Sequence, residues 1–376
     1  MAATAVMAQP TAAQIIKPLF TPLIQESPLT RCTLKDDFNP KKHLAFKKYP
    51  KTISMKELGF PEGKGISPVA VSQPFPLFTE EAIMRMRAEC LSPEVIENYS
   101  FSSNLSHCML RGFTKKYAPF VNDVWKNPET LEIISKIAGI DLVPALDVDV
   151  AHINVSVKSE QEKATDLESR AEMATKAPIL GWHKDSYPFV CVTMLSDCTG
   201  MIGGETALRT GNGDVMKVRG PQMGCAVVMQ GRYIEHSALA ALGSTERITM
   251  VTSLRPRNPL VRDETVLETV RPISVISDLY NQFAEYRFEI LEARLRMQLK
   301  DIRDMMATGR GIPTAKLKAF IQEQEQFLAH MDKEIVEDDK VVRDMILQDG
   351  IVQDDVDESR VIISGSSKGR KRQRRT

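Results

Sequence analysis

The chain has 376 residues, 43% hydrophobic and 26% charged, with 49 basic side chains balanced by 49 acidic ones. A net charge of zero removes any global electrostatic pull on nucleic acid or on an acidic substrate. No apolar run approaches the roughly 18 residues a membrane span needs, and the six cysteines form no CxxC and suggest no disulfide framework, which suits a reducing compartment.

Met1 to Phe20 lacks the basic start and long apolar core of a secretory signal. Residues 1–78 are interrupted by prolines from Pro10 to Pro76. Proline fixes φ and removes a backbone donor, so this part reads as an extended arm wrapping the body. Thr79 is suited to cap a helix over Glu80 to Cys90, and a short helix follows Ser92-Pro93. The clearest helix of this half runs from Pro128 to Ala138. Asn127 caps it, Pro128 fits its first turn, and Gly139 ends it in a left-handed conformation. Leu131, Ile134 and Ile137 recur at helical spacing.

From Leu142 the period changes to two. Leu146, Val148 and Val150 alternate with Asp147 and Asp149, which predicts a half-buried strand. His152 and Asn154 share the parity of the apolar residues and face inward on this reading. They are either a buried hydrogen-bonded pair or contacts for a substrate, the first being the commoner role. Residues 158–176 are polar and rich in Glu, Ala and Lys, as expected of a solvated helix or loop, or of a lid over a nearby site. Short β-prone runs follow at Tyr187–Leu195, Glu205–Arg209, Val215–Val218, Gly224–Gln230 and Ile248–Leu254. Gly200–Gly204 reads as a turn and Gly211–Asp214 as a tight hairpin. Many short strands with Gly-rich turns predict a barrel or sandwich.

After Pro259, apolar residues from Leu279 to Met306 recur every three or four positions, the mark of a long amphipathic helix. Gly309 to Pro313 breaks it, and a second helix is expected over 314–347. Two such helices joined by a short loop make an antiparallel hairpin, whose apolar stripe either covers the barrel or pairs two copies as a homodimer. The last residues, Lys368 to Arg375, are strongly basic. A solvated, disordered end is the ordinary reading, and a nuclear address or nucleic-acid contact the sharper one.

The chemistry lies between Gly181 and Pro256. Gly181-Trp182-His183-Lys184-Asp185 opens this stretch, Tyr233-Ile234-Glu235-His236 lies within it, and Glu246-Arg247-Ile248-Thr249 follows. In an extended segment, side chains at i and i+2 share a face, so His183 and Asp185 can reach one ion, with His236 as third ligand. Single histidines are often only hydrogen-bonded. Two with a carboxylate, leaving further positions open, suit non-haem Fe(II). A structural zinc site would close its coordination and favour cysteine.

HxD at His183 and Asp185, the distal His236, and RxT at Arg247 and Thr249 resemble the iron- and 2-oxoglutarate-dependent oxygenases. Gly203-Gly204-Glu205-Thr206 is also similar to a turn found in some of them. The resemblance covers about residues 140–258 and is closest to a fungal group. It implies an α+β fold with a double-stranded β-helix (jelly-roll) core over about 142–258, N-terminal helices from residue 79, a helical hairpin over 259–350 and a disordered tail over 351–376. It further implies Fe(II) held by His183, Asp185 and His236, 2-oxoglutarate held by Arg247 and Thr249, and dioxygen at the remaining position. Arg209 and Arg255 are competing cations for the co-substrate. His152, Asn154, Trp182, Tyr187 and Arg209 are candidates for the substrate pocket. The expected activity is oxidation of a C–H bond in a small molecule, an amino acid or secondary metabolite, by hydroxylation, desaturation or ring closure. An oxygenase of protein or nucleic acid, and a non-catalytic barrel acting through its helices, are the alternatives. A cytoplasmic or nuclear protein with no membrane partner is expected.

Overall fold

The computed structural model describes residues 36–101, 108–157, 181–218, 222–239, 241–242 and 246–337. The beginning of the arm, the polar segment at 158–180 and the basic tail lie outside them. Pro40 opens a one-turn helix, α1 (Pro40–His43), capped by Asn39. The arm then contributes strands β1 (Thr52–Ser54), β2 (Val69–Ser72) and β3 (Phe75–Pro76). Pro76 ends its strand, as suits a residue that cannot donate to a ladder.

Helix α2 (Glu80–Cys90) starts where Thr79 Oγ1 accepts from Ala82 N. Then come α3 (Pro93–Asn98), β4 (Ser100–Phe101), β5 (Met109–Leu110), α4 (Thr114–Tyr117), α5 (Pro119–Lys126) and α6 (Pro128–Ala138). Asn127 accepts from Glu129 N, and Gly139 at φ +70° closes α6. Losing that cap would cost about 1 kcal/mol. Ile83, Met86, Val124, Trp125 and Ile134 of these helices bury themselves against Cys191, Val228 and Met250. The Trp125 indole N–H also donates to Met250 Sδ at 3.3 Å. Truncating so large a core residue to alanine typically costs about 3–5 kcal/mol.

The remaining strands are β6 (Leu142–Pro144), β7 (His152–Val157), β8 (Phe189–Met194), β9 (Ile202–Gly203), β10 (Thr206–Arg209), β11 (Val215–Val218), β12 (Cys225–Met229), β13 (His236–Ala238), β14 (Ala241–Leu242) and β15 (Glu246–Pro256). The main antiparallel sheet has the order β1-β2-β12-β8-β15-β7-β5-β4, with β3 on β12 and β6 on β15. A second sheet has the order β11-β10-β13, and His183 joins it by a bridge to His236. From β7 onward the chain passes repeatedly from one sheet to the other, and both line one cavity. Parity on β15 sorts the side chains. Ile248, Met250 and Leu254 face the helices, while Arg247, Thr249, Val251 and Ser253 face the cavity.

The strand expected across Leu146 to Val150 is instead a 3-10 turn at Asp147–Asp149, followed by Ala151 at φ +57°. The alternation misled because Asp149 is not a solvent-facing residue. It is buried in an ion pair with Arg111, and the turn brings it there.

Two long helices close the described chain, α7 (Ile276–Ala307) and α8 (Thr314–Glu334). Leu279, Phe283, Tyr286 and Ile290 of α7 pack on Leu146, Tyr187 and Leu267. Farther along, Leu295, Leu299 and Met306 are 45%, 48% and 70% exposed, so the apolar stripe covers the barrel only over its first half. The helices run antiparallel. Arg287 and Arg294 lie 3.7 and 4.6 Å from the Phe327 ring. The second helix ends at Glu334, and Ile335 is already extended; the expected stretch from 338 to 347 lies outside the described residues. Glu334, the last residue of the helix, is held by partners outside it. Its carboxylate accepts from Leu267 N at 2.6 Å, and its carboxylate and carbonyl both bind Arg271. Among the described residues no helix is long and apolar enough to cross a membrane.

Candidate active site

The candidate ligands His183, Asp185 and His236 come together because two segments pair beside the cavity. His183 N donates to His236 O and His236 N to His183 O, at 3.0 and 2.9 Å. Asp185 N donates to Gly231 O at 3.0 Å. His183 Nε2 lies 3.7 Å from Asp185 Oδ1, and His236 Nε2 lies 3.5 Å from Asp185 Oδ2. One ligand atom from each of these three residues lies within 4.8 Å of the others.

The rings are oriented from behind. His183 Nδ1 is 2.8 Å from Gly181 O, and His236 Nδ1 is 2.9 Å from Ile234 O. A carbonyl can only accept, so in each neutral ring Nδ1 carries the proton and Nε2 keeps its lone pair for a metal. Burial pushes the His236 imidazole below its ordinary range, against the opposing pull of Asp185, which further favours the ligating form. Asp185 Oδ2 is buried and has no hydrogen-bond partner. An unsatisfied carboxylate oxygen facing two unprotonated imidazole nitrogens fits a divalent cation. The open remainder of the site suits Fe(II) rather than closed structural zinc.

Arg247 lies on the same cavity wall, buried to 8% exposure, and its Nε has no hydrogen-bond partner. Among the described residues no carboxylate lies within 4.0 Å of it, and burial lowers its pKa from the ordinary value. Thr249 is two residues on, with its side chain on the same wall. Gly204 passes close by, since a Cβ there would lie 3.7 Å from Arg247 Nε. The start of β15 is held by Arg87, whose fork grips Glu246 at 2.8 and 3.1 Å. Sequence reasoning missed Arg87. The signal was an arginine four residues after Ile83, on the buried stripe of α2.

The rival cations are elsewhere. Arg209 pairs with Glu235 at 2.8 Å and stacks over Trp182 at 4.7 Å. Arg255 stacks on Tyr286 at 4.7 Å. Neither they nor Trp182 are among the residues lining this cavity. Parity explains both: Thr206 of β10 and His183 face inward, so Arg209 and Trp182 alternate outward.

His152, Asn154 and Tyr187 do line the cavity. The Tyr187 hydroxyl donates to Asp149 Oδ2, while Arg111 binds the same carboxylate through Nε at 3.0 Å and Nη2 at 2.7 Å. Arg111 also donates to Val270 O at 3.1 Å and Ile273 O at 3.2 Å. This network fixes the cavity wall formed by Thr269, Val270 and Ile273. The residues of this network are scattered through the sequence, and no local pattern announces their pairing.

No family profile matches the chain, and no curated protein sequence matches it either. Several solved structures resemble it. A prolyl-4-hydroxylase from Pseudomonas putida is 16% identical over 50% of this chain and 93% of its own, with a TM-score of 0.34. AviO1 from Streptomyces viridochromogenes Tue57 is 15% identical over 56% of this chain and 98% of its own, with a TM-score of 0.35. A 2OG-Fe(II) oxygenase family oxidoreductase from Burkholderia pseudomallei is 14% identical over 37% of this chain and 55% of its own, with a TM-score of 0.27. The match thus spans about half the length of that last protein. At these identities and scores the functional reading rests on the site itself.

Proposed function

We propose that the protein is a non-haem Fe(II)- and 2-oxoglutarate-dependent oxygenase acting on a small molecule. The observation that carries this is one cavity holding both the His183, Asp185 and His236 cluster and the buried Arg247, whose Nε has no hydrogen-bond partner among the described residues. The strand winding supports a double-stranded β-helix, which places such a cluster at the open end of the barrel.

His183, Asp185 and His236 would hold the iron, whose open positions supply oxidising chemistry when co-substrate and dioxygen are bound. Arg247 offers a planar fork for the distal carboxylate of the ketoacid, and Thr249 a hydroxyl beside it. Among the described residues no carboxylate pairs with Arg247, which leaves its fork to that partner. Apolar side chains such as Val190, Val192 and Met229 exclude water along the cavity, so the charge pair forms in a low-dielectric setting. The segment carrying Thr269, Val270 and Ile273 faces the mouth and orients the substrate.

The test is succinate release from 2-oxoglutarate under Fe(II) and ascorbate, measured with and without a metabolite library. Turnover that needs both additives and rises with one library member is expected. Absence of Fe(II) and 2-oxoglutarate binding would end this reading.

A further inference from the structure

The oxygenase reading commits the cavity's triad and its Arg247, and leaves, among the described residues, one further buried polar atom on the wall without a hydrogen-bond partner. His152 opens β7 and pairs across the ladder with Val251, four residues along β15 from Arg247. That is roughly 13 Å at strand rise. The ring is half-buried on the cavity wall, and its Nε2 is buried with no hydrogen-bond partner. Burial, reinforced by Arg111, pushes its pKa down to about 4, against the charges of Asp149 and Asp185. Near pH 7 it is therefore a neutral imidazole with one donor and one acceptor. A buried ring nitrogen without a partner destabilises a fold unless a ligand or water supplies the missing bond.

The surroundings narrow what that ligand is. Among the described lining residues the charged ones are Asp149, Lys184, Asp185 and Arg247. Both oxygens of Asp149 are held by Arg111, and Lys184 is exposed. Asp185 and Arg247 serve metal and ketoacid. What remains of the wall is uncharged, with apolar Met109, Val251, Val270 and Ile273 and neutral polar groups including Asn154, Ser186, Ser253 and Thr269. Such a wall desolvates a charged head without pairing it, which is costly.

We infer that His152 is the hydrogen-bonding contact for an uncharged polar group, an amide or a hydroxyl, on a substrate whose body is apolar. This rests on the oxygenase reading and narrows it away from free amino acids. The second ring nitrogen and the hydroxyls of Ser186 and Thr269 give the head group further partners of the same neutral kind.

The experiment uses the full chain loaded with Mn(II) and 2-oxoglutarate, titrated calorimetrically with three probes sharing one apolar body: 4-methylpentanamide, 4-methylpentanoate and leucine. The amide is expected to bind about tenfold more tightly than the other two, the size of one buried hydrogen bond with its desolvation. His152→Phe should erase that preference while Mn(II) and 2-oxoglutarate affinities stay as in wild type, and His152→Gln should restore part of it. Equal or tighter binding of the carboxylate or of leucine overturns the inference. So does an unchanged amide affinity in His152→Phe, or binding of none of the three. A carboxylate preference lost in Lys184→Gln would move recognition to Lys184. If His152→Phe also loses Mn(II), its role is structural and the inference fails. If wild type binds neither Mn(II) nor 2-oxoglutarate, the oxygenase reading fails first, and the inference falls with it.

Discussion

Gly231 runs so close behind Asp185 that a Cβ on it would lie 1.7 Å from Asp185 Oδ2. Backbone conformation does not require glycine here. The carboxylate does, because only a residue without a side chain leaves it room to face His183 and His236. Gly231→Ala should therefore fold, by circular dichroism, yet lose Fe(II) about as completely as Asp185→Ala. Wild-type iron content in the purified Gly231→Ala protein would show that Asp185 has another place to go.

On the proposed function, Arg247 decides the co-substrate. A carboxylate deprived of its charged partner loses about 1.5–3 kcal/mol, or roughly tenfold to hundredfold in affinity. Arg247→Gln should raise the 2-oxoglutarate requirement by that factor with Fe(II) still bound, and Arg247→Lys should recover part. Arg209→Gln and Arg255→Gln are controls, because their guanidiniums lie over Trp182 and Tyr286. A shift in a control, with none in Arg247→Gln, would move the assignment.

His152 gives stability a pH signature. Its imidazole titrates at 6.5 when unfolded and at about 4 when folded. Between those values the unfolded chain binds the extra proton, so stability is full above pH 6.5 and falls as pH drops towards 4. The full shift would bound the loss near 3 kcal/mol, and for a half-buried ring about 1–2 kcal/mol is expected. Urea denaturation of the metal-free protein at pH 7 and pH 4.5 should show His152→Phe losing less than wild type by that amount. Parallel losses in the two proteins would contradict this.

The Arg111 and Asp149 pair is buried at both ends, with side chains 1% and 2% exposed. Removing one partner strands the other's charge. Asp149→Asn should destabilise by about 3–5 kcal/mol in chemical denaturation, whereas removing the exposed Lys136 and Glu132 pair should change little. A mild effect of Asp149→Asn would mean that water reaches Arg111.

Leu295 and Leu328 are 45% and 43% exposed, so glutamate at both should leave the chain folded, by circular dichroism. The homodimer expected from the sequence would cover this stripe with a second copy. The double variant is then monomeric by light scattering where wild type is dimeric. A monomeric wild type rejects that partner.

What could be read from the chain alone follows the range of the interactions. Thr79, Asn127 and Gly139 act within a turn of their own positions, and each appears as its residue type predicts. The HxD pair and RxT are similarly local, so parity on a strand suffices to place them. Alternation failed at Asp149, because it cannot distinguish an aspartate in water from one whose partner is 38 residues away. It was equally blind at Glu334, whose partner Leu267 lies 67 residues away. Gly231 was invisible for a related reason, since its neighbour Asp185 belongs to another segment.

Glu334 has a consequence beyond ending a helix. The segment from Leu267 to Ser274 faces the cavity and is fastened on one side by Arg111 and on the other by Glu334, from outside the barrel. None of those bonds involves His183, Asp185, His236 or Arg247. On the proposed function, substrate preference can therefore drift, or be engineered, by retuning α8 and its grip on Arg271, without touching the residues assigned to metal and co-substrate.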